Sequence, residues 1–100
     1  MLHTVNKSPF EKDSLKTCLR LSAPGSAILL IEDGVYGAIK GCEMESALKD
    51  AMTGRELYVL GPDVKARGID PDKLMDGVTM VDYRGFVKLA ANYDKVQSWL

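Results

Sequence analysis

The chain reads as an α/β protein, a single three-layer α/β/α domain over residues 1–100 with a small, mostly parallel sheet, flavodoxin-like in general type. Three observations predict this. Strand-type and helix-type patterns alternate four times, the order expected when helices carry the chain between parallel strands. One candidate strand, Ala27-Ile28-Leu29-Leu30-Ile31, is apolar at every position, as a strand covered on both faces must be. No repeat, low-complexity segment or linker divides the 100 residues. At that length folding hides about two-thirds of the chain's surface, so the core is modest and subunit contacts are expected to supplement it.

Taken in order, Leu2-His3-Thr4-Val5 is a short β-type run that turns at Asn6-Lys7-Ser8-Pro9. Ser8-Pro9-Phe10-Glu11 offers a helix start, with Ser8 as N-cap, Pro9 in the first turn and Glu11 three residues on. Asp13 offers a later one. Either start puts Leu15, Cys18, Leu19 and Ser22 on one inward face. Ala23-Pro24-Gly25-Ser26 ends that helix, and Ala27–Ile31 follows as the second strand, closed by Glu32-Asp33-Gly34. Val35–Ile39 predicts a short helical segment weakened by Gly37; Met44–Met52 predicts another, with Met44, Ala47, Leu48 and Ala51 inward. Glu56–Leu60 is the third strand, and Asp63–Gly68 is at most one helical turn. Asp70-Pro71-Asp72-Lys73-Leu74 is a capped turn, Val78–Val81 the fourth strand, and Arg84–Asn92 the last helix. Its stripe is Phe86, Leu89, Ala90 and Tyr93. Val96–Leu100 closes the chain, and the large apolar area of Trp99 predicts that this tail docks on the sheet edge or on a partner.

Composition excludes several functions. With 46% hydrophobic and 27% charged residues, the chain has the make-up of an ordinary soluble globular protein. A formal net charge of -1, without a Lys/Arg run, gives no basis for direct nucleic-acid binding. No apolar stretch nears the roughly 18 residues a bilayer requires. The N-terminus lacks a signal-peptide pattern, and Cys18 and Cys42 have neither CxxC spacing nor a disulfide framework. A cytoplasmic protein with reduced thiols is expected.

In open α/β sheets, ligands collect at the carboxyl ends of the strands. Those ends present Asn6-Lys7-Ser8, Glu32-Asp33-Gly34, Gly61-Pro62-Asp63 and Asp82-Tyr83, and neither GxGxxG nor a Walker A sequence is among them. Asp33, Asp63 and Asp82 form an acidic rim whose expected work is capping rather than metal binding. No cofactor and no metal are expected. His3, the only histidine, sits inside a strand and is expected to be structural. Tyr36, Tyr83, Tyr93, Phe86 and Trp99 lie in apolar segments without interleaved basic residues, which suits a core or subunit interface better than base stacking. Cys18 has two readings: a small apolar filler on the helix face, or a sulfur-accepting thiol, which needs access and a lowered pKa. Lys16 and Arg20 point elsewhere on the helix. Cys42, beside Glu43, reads as incidental.

The segments MLHTVNKSPF, Leu30–Tyr36, LYVLGPDVKARG, VDYRGFV and the terminal Trp99-Leu100 together resemble the DsrH/TusB family, over essentially the whole chain and in order. The resemblance implies a DsrE-like fold and the role of a small subunit in a cytoplasmic sulfur-relay complex. It implies assembly with two sister subunits, DsrE and DsrF or TusD and TusC, as a dimer of heterotrimers; the isolated chain would form homo-oligomers through the same surface. In one branch, DsrEFH exchanges persulfide sulfur with DsrC in intracellular sulfur oxidation. In the other, TusBCD passes sulfur through TusE towards 2-thiolation of the tRNA wobble uridine. In both, the principal sulfur-carrying cysteine belongs to the DsrE or TusD subunit. The sulfur-oxidiser branch carries a Ser-Leu-x-x-Cys-Leu pattern, matched by Ser14-Leu15-Lys16-Thr17-Cys18-Leu19, which marks Cys18 as an auxiliary sulfur acceptor. TVNKSPFE and LGPDVKARG also lie closer to that branch. The expectation is therefore a DsrH-like subunit, with a TusB-like or purely structural subunit as the alternatives.

Overall fold

Residues Leu2–Val5, the first strand (β1), are all buried, and they form the middle of the structure rather than its start. In the computed structural model, which describes Met1–Leu100, β1 lies between β2 (Ala27–Leu30) and β5 (Val96–Trp99). Outward from β2 follow β3 (Glu56–Leu60) and β4 (Thr79–Val81), giving the order β4-β3-β2-β1-β5, parallel throughout. Between them run α1 (Ser14–Leu21), a 3₁₀ segment Glu32–Ala38, α2 (Glu45–Ala51), α3 (Gly61–Ala66), a 3₁₀ turn Pro71–Lys73 and α4 (Tyr83–Asn92).

Handedness distributes the helices. From β1 to β4 each connection steps one way across the sheet, whereas the connection from β4 to β5 returns past β1. Right-handed crossovers in opposite directions must lie on opposite faces. One face is accordingly buried by Val5, Ile28, Leu30, Leu57 and Val59 against Leu15, Cys18, Val35, Leu48 and Val64. The other carries Leu2, Ala27 and Leu29 under Phe86, Leu89, Ala90 and Tyr93. This second layer is thin. No residue of α4 is fully buried, and Tyr83 and Val87 stay 61% and 68% exposed.

The expected three-layer α/β architecture is observed, with three local differences. The C-terminal tail is a fifth strand, so the sheet has five members. Trp99 docks as expected, but its segment does so through the backbone: Val96, Gln97 and Ser98 are exposed, and only the ladder to β1 reveals a strand. Of its two expected starts the first helix takes the later, with Asp13 at the N-cap position and Ser14 first in the helix. Ser8 instead holds one separate turn, accepting from Phe10 N through its hydroxyl and from Glu11 N and Lys12 N through its carbonyl. Phe10, Glu11, Lys12 and Asp13 are all exposed, so no apolar contact carries that turn on into α1. The 3₁₀ segment starts at Glu32, not Val35. Finally, Gly61–Ala66 is a short α-helix rather than a lone turn; Pro62 sits in its first turn and Val64 anchors it in the core.

Candidate functional site

The carboxyl ends of β2 and β3 converge on one polar cluster. Glu32, immediately after Ile31, has φ 49°, a left-handed conformation costing an ordinary residue about 1–2 kcal/mol. Its N–H donates to Asp63 Oδ2 at 2.6 Å, a charge-assisted bond that holds the strained residue in place. Arg67 completes the cluster: its Nε donates to Asp33 Oδ1 at 2.9 Å, and its Nη1 reaches Asp63 O at 3.4 Å. One guanidinium thus ties the 3₁₀ segment to α3. Asp82 acts elsewhere, capping α4 by accepting from Gly85 N at 2.8 Å. The three aspartates are therefore occupied as caps and ion-pair partners, and no group of His, Cys, Asp and Glu side chains gathers as a metal site. Arg67 was not singled out by sequence reasoning; the available signal was its position four residues after Asp63, one helical turn on.

Arg67→Ala removes the shared cation from Asp33 and Asp63. Asp33 is 48% exposed at its side chain, so solvent screens the pair and the expected loss is only about 1 kcal/mol. Urea denaturation should show this loss shrinking in high salt. A loss that does not vary with salt would assign Arg67 a packing role instead.

The strand order reverses at β1 and β5, where ligands enter folds of this class. Here Ser14 Oγ, at the start of α1, donates to Leu100 O at 2.9 Å across that crevice. Asn6, just after β1, keeps a buried Oδ1 without a partner.

Cys18 lies in the core. It has no exposed surface, it packs in the same cluster as Leu15, Val35 and Leu48, and burial pushes its thiol pKa up to about 12, against a weak opposing pull from Arg55. At neutral pH the thiol form therefore prevails. Lys16 and Arg20 are exposed, as their helix positions require. In this fold the sulfur has neither the access nor the ionisation that acceptance of a persulfide demands. Transfer through Cys18 requires α1 to lift from the sheet.

Cys42 is half-buried after the 3₁₀ segment, its Sγ 3.4 Å from Gly37 O. It borders an open hollow of about 450 Å³ with Glu43, Glu45, Ser46, Lys49 and Asp50, a predominantly acidic lining. His3 takes the structural place expected of it: 5% exposed, its Nδ1 accepts from Trp99 Nε1 at 3.0 Å. The aromatic residues are distributed rather than gathered. Phe86 and Tyr93 pack from α4 and its C-terminal end onto Leu2, Ala27 and Leu29, Trp99 lies on the opposite face of the sheet, and Tyr83 is exposed.

Residues 7–96 match the family described as DsrH like protein. The protein named TusB from Photorhabdus laumondii is 39% identical over 99 residues, spanning 99% of this chain and 100% of that protein. TusB from Pectobacterium parmentieri is 36% identical and TusB from Escherichia coli K12 32%, with the same coverage. Among solved structures, the ychN protein of Escherichia coli superimposes with a TM-score of 0.81 at 21% identity, over 97% of both chains. A protein of unknown function from Methanobacterium thermoautotrophicum does so with a TM-score of 0.76 at 16% identity, over 97% of this chain and 95% of that one. The solved structures establish the shared fold. The sequence relatives establish kinship.

Proposed function

The chain belongs to the DsrH/TusB family, and we propose that it is a TusB-type subunit of a cytoplasmic sulfur-relay complex serving 2-thiolation of the tRNA wobble uridine. The observation that carries this reading is full-length identity of 36–39% with proteins named TusB. It favours the thiolation branch over the sulfur-oxidation branch to which the Ser14–Leu19 pattern pointed; the DsrH description itself supports only the family they share.

The structure supports a subunit that shapes the relay rather than one that carries its sulfur. One of its two thiols is sealed in the core, and the other is half-buried beside acidic side chains. The chain also leaves apolar surface without a partner. Only 24 of its 100 residues are buried, and Phe10, Tyr83 and Val87 are among the large apolar side chains left exposed. Sister subunits of TusD and TusC type would cover such surface, the sulfur-bearing cysteine would lie on the former, and a TusE-type carrier would take the sulfur onward. No helix is long and apolar enough to cross a membrane, and a net charge of -1 favours contact with protein partners over RNA.

Complementation tests the reading. In an Escherichia coli strain lacking its own TusB, expression of this chain should restore 2-thiouridine derivatives in tRNA hydrolysates and should co-purify the host's sister subunits. If the chain captures both sisters but thiolation stays absent while a DsrC-type carrier exchanges sulfur with the complex, the sulfur-oxidation branch is the correct one. Capture of neither sister, with thiolation still absent, overturns the relay assignment.

The Ser14–Leu19 pattern supports one additional reading, Cys18 as an auxiliary acceptor within the assembled complex. Its condition is that a partner opens the α1 face. Persulfide supplied to the complex would then add sulfur to Cys18, detectable by mass spectrometry.

A further inference from the structure

The C-terminal strand is attached by unusually few side chains. β5 pairs only with β1, and Val96, Gln97 and Ser98 are all exposed. On one face a single hydroxyl contact, Thr4 Oγ1 to Ser98 Oγ at 3.3 Å, links it to the sheet. On the other, Trp99 is the one anchor in the core, with its ring centroid 6.1 Å from that of His3 and its Nε1–H donated to His3 Nδ1 at 3.0 Å. This bond dictates the tautomer. An indole nitrogen only donates, so Nδ1 must hold a lone pair and the imidazole must be neutral with its proton on Nε2.

We propose that His3 and Trp99 form an acid-released latch that holds β5 on the sheet. Protonation of Nδ1 sets a donor against a donor, and a cation is left in a site 5% exposed. No compensating anion faces it. In the ladders His3 is flanked by Ile28 and Gln97. The inward side of α1 offers Leu15, Cys18 and Ser22, of which only Cys18 titrates, and it stays a thiol. The charges felt from beyond are the Met1 amino group and Arg55, both positive. Burial foremost, then these two charges, holds the imidazole pKa below its ordinary 6.5.

The sign follows from linkage. The closed form has the lower pKa, so its advantage is complete above pH 6.5 and declines as pH falls from there towards the depressed value. Opening frees Trp99, breaks the Ser14–Leu100 contact and bares the edge of β1. A parallel strand edge of that kind is a template for pairing with another chain.

The test uses the full chain between pH 7.5 and 5. Hydrogen exchange, corrected for its intrinsic pH dependence, should show β5 amides losing protection by up to roughly tenfold per pH unit below 6.5, while β2 and β3 amides keep theirs. Acrylamide quenching of Trp99, the only tryptophan, should rise in parallel. In His3→Asn the amide oxygen stands where Nδ1 stood and accepts the indole N–H at any pH, so both signals should stay flat. Trp99→Phe, which keeps the ring and removes the donor, gives a second check should the first variant fail to fold: its β5 should exchange quickly already at pH 7.5 and respond little to acid. Three results would overturn the latch: pH-independent protection in the natural chain, the natural response persisting in either variant, or simultaneous loss of β2, β3 and β5 protection, which is global unfolding.

Discussion

Gly34→Ala is expected to destabilise the protein more than any other methyl-sized addition. The strand β2 ends by bonding Ile31 N to Val5 O, and Gly34 N then turns back to Ile31 O. This folds the chain tightly over the end of β1, where a Cβ on residue 34 would stand 2.1 Å from Val5 O and 3.0 Å from Val5 C. Both obstacles are backbone. No rotamer change relieves them, and moving Val5 disturbs ladders to β2 and β5 together. A loss of more than about 3 kcal/mol is expected, against a typical total of about 5–15 kcal/mol for a domain. For a chain of this size the midpoint of thermal unfolding should fall by more than about 10 °C. Gly37→Ala is the comparison. Its Cβ would meet Leu15 Cδ2 at 2.8 Å, the end of a side chain that can turn aside. Calorimetry should therefore rank Gly34→Ala well below Gly37→Ala, and equal midpoints would mean that the end of β1 yields easily.

Cys18→Ser should lower stability by about 1–3 kcal/mol, because it places a hydroxyl in an apolar site of zero exposure. A helical serine can donate to the carbonyl four residues earlier, here Ser14, which offsets part of that cost. Cys18→Ala introduces no polar atom and leaves only a small void, so a loss of about 1 kcal/mol is expected. The difference matters for function. Were Cys18 a sulfur acceptor, both variants would slow transfer through the assembled complex equally at a temperature where both are folded. As a packing residue, its alanine variant should transfer sulfur at the natural rate, and the serine variant should fail only as it unfolds. Thiol labelling gives an independent readout. In the native chain Cys42 should react first and Cys18 only on unfolding; rapid labelling of Cys18 in the complex, but not in the free chain, would show that a partner opens the α1 face.

Much of this protein was determined by sequence alone. The unbroken apolar run Ala27–Ile31 specified a strand covered on both sides, and the spacing of Leu15, Cys18, Leu19 and Ser22 specified the inward face of the first helix; all are buried except Ile31 and Leu19, which are half-buried at the edges of those faces. The ordered set of segments specified the family, because kinship is a property of the linear chain. Three features belonged to the tertiary structure. β5 is a strand only because β1 offers it a ladder: its side chains are mostly exposed, so its pattern carries no burial signal. The Glu32, Asp33, Asp63 and Arg67 cluster joins residues about 30 positions apart, and its left-handed Glu32 carries no glycine to announce it. His3 and Trp99 stand at opposite ends of the chain, and only a strand order that places β5 beside β1 brings an acceptor nitrogen and a donor indole within 3.0 Å. Burial periodicity is local and legible; the identity of a side chain's distant neighbour is set by strand order, which depends on crossover handedness and on which edge remains open.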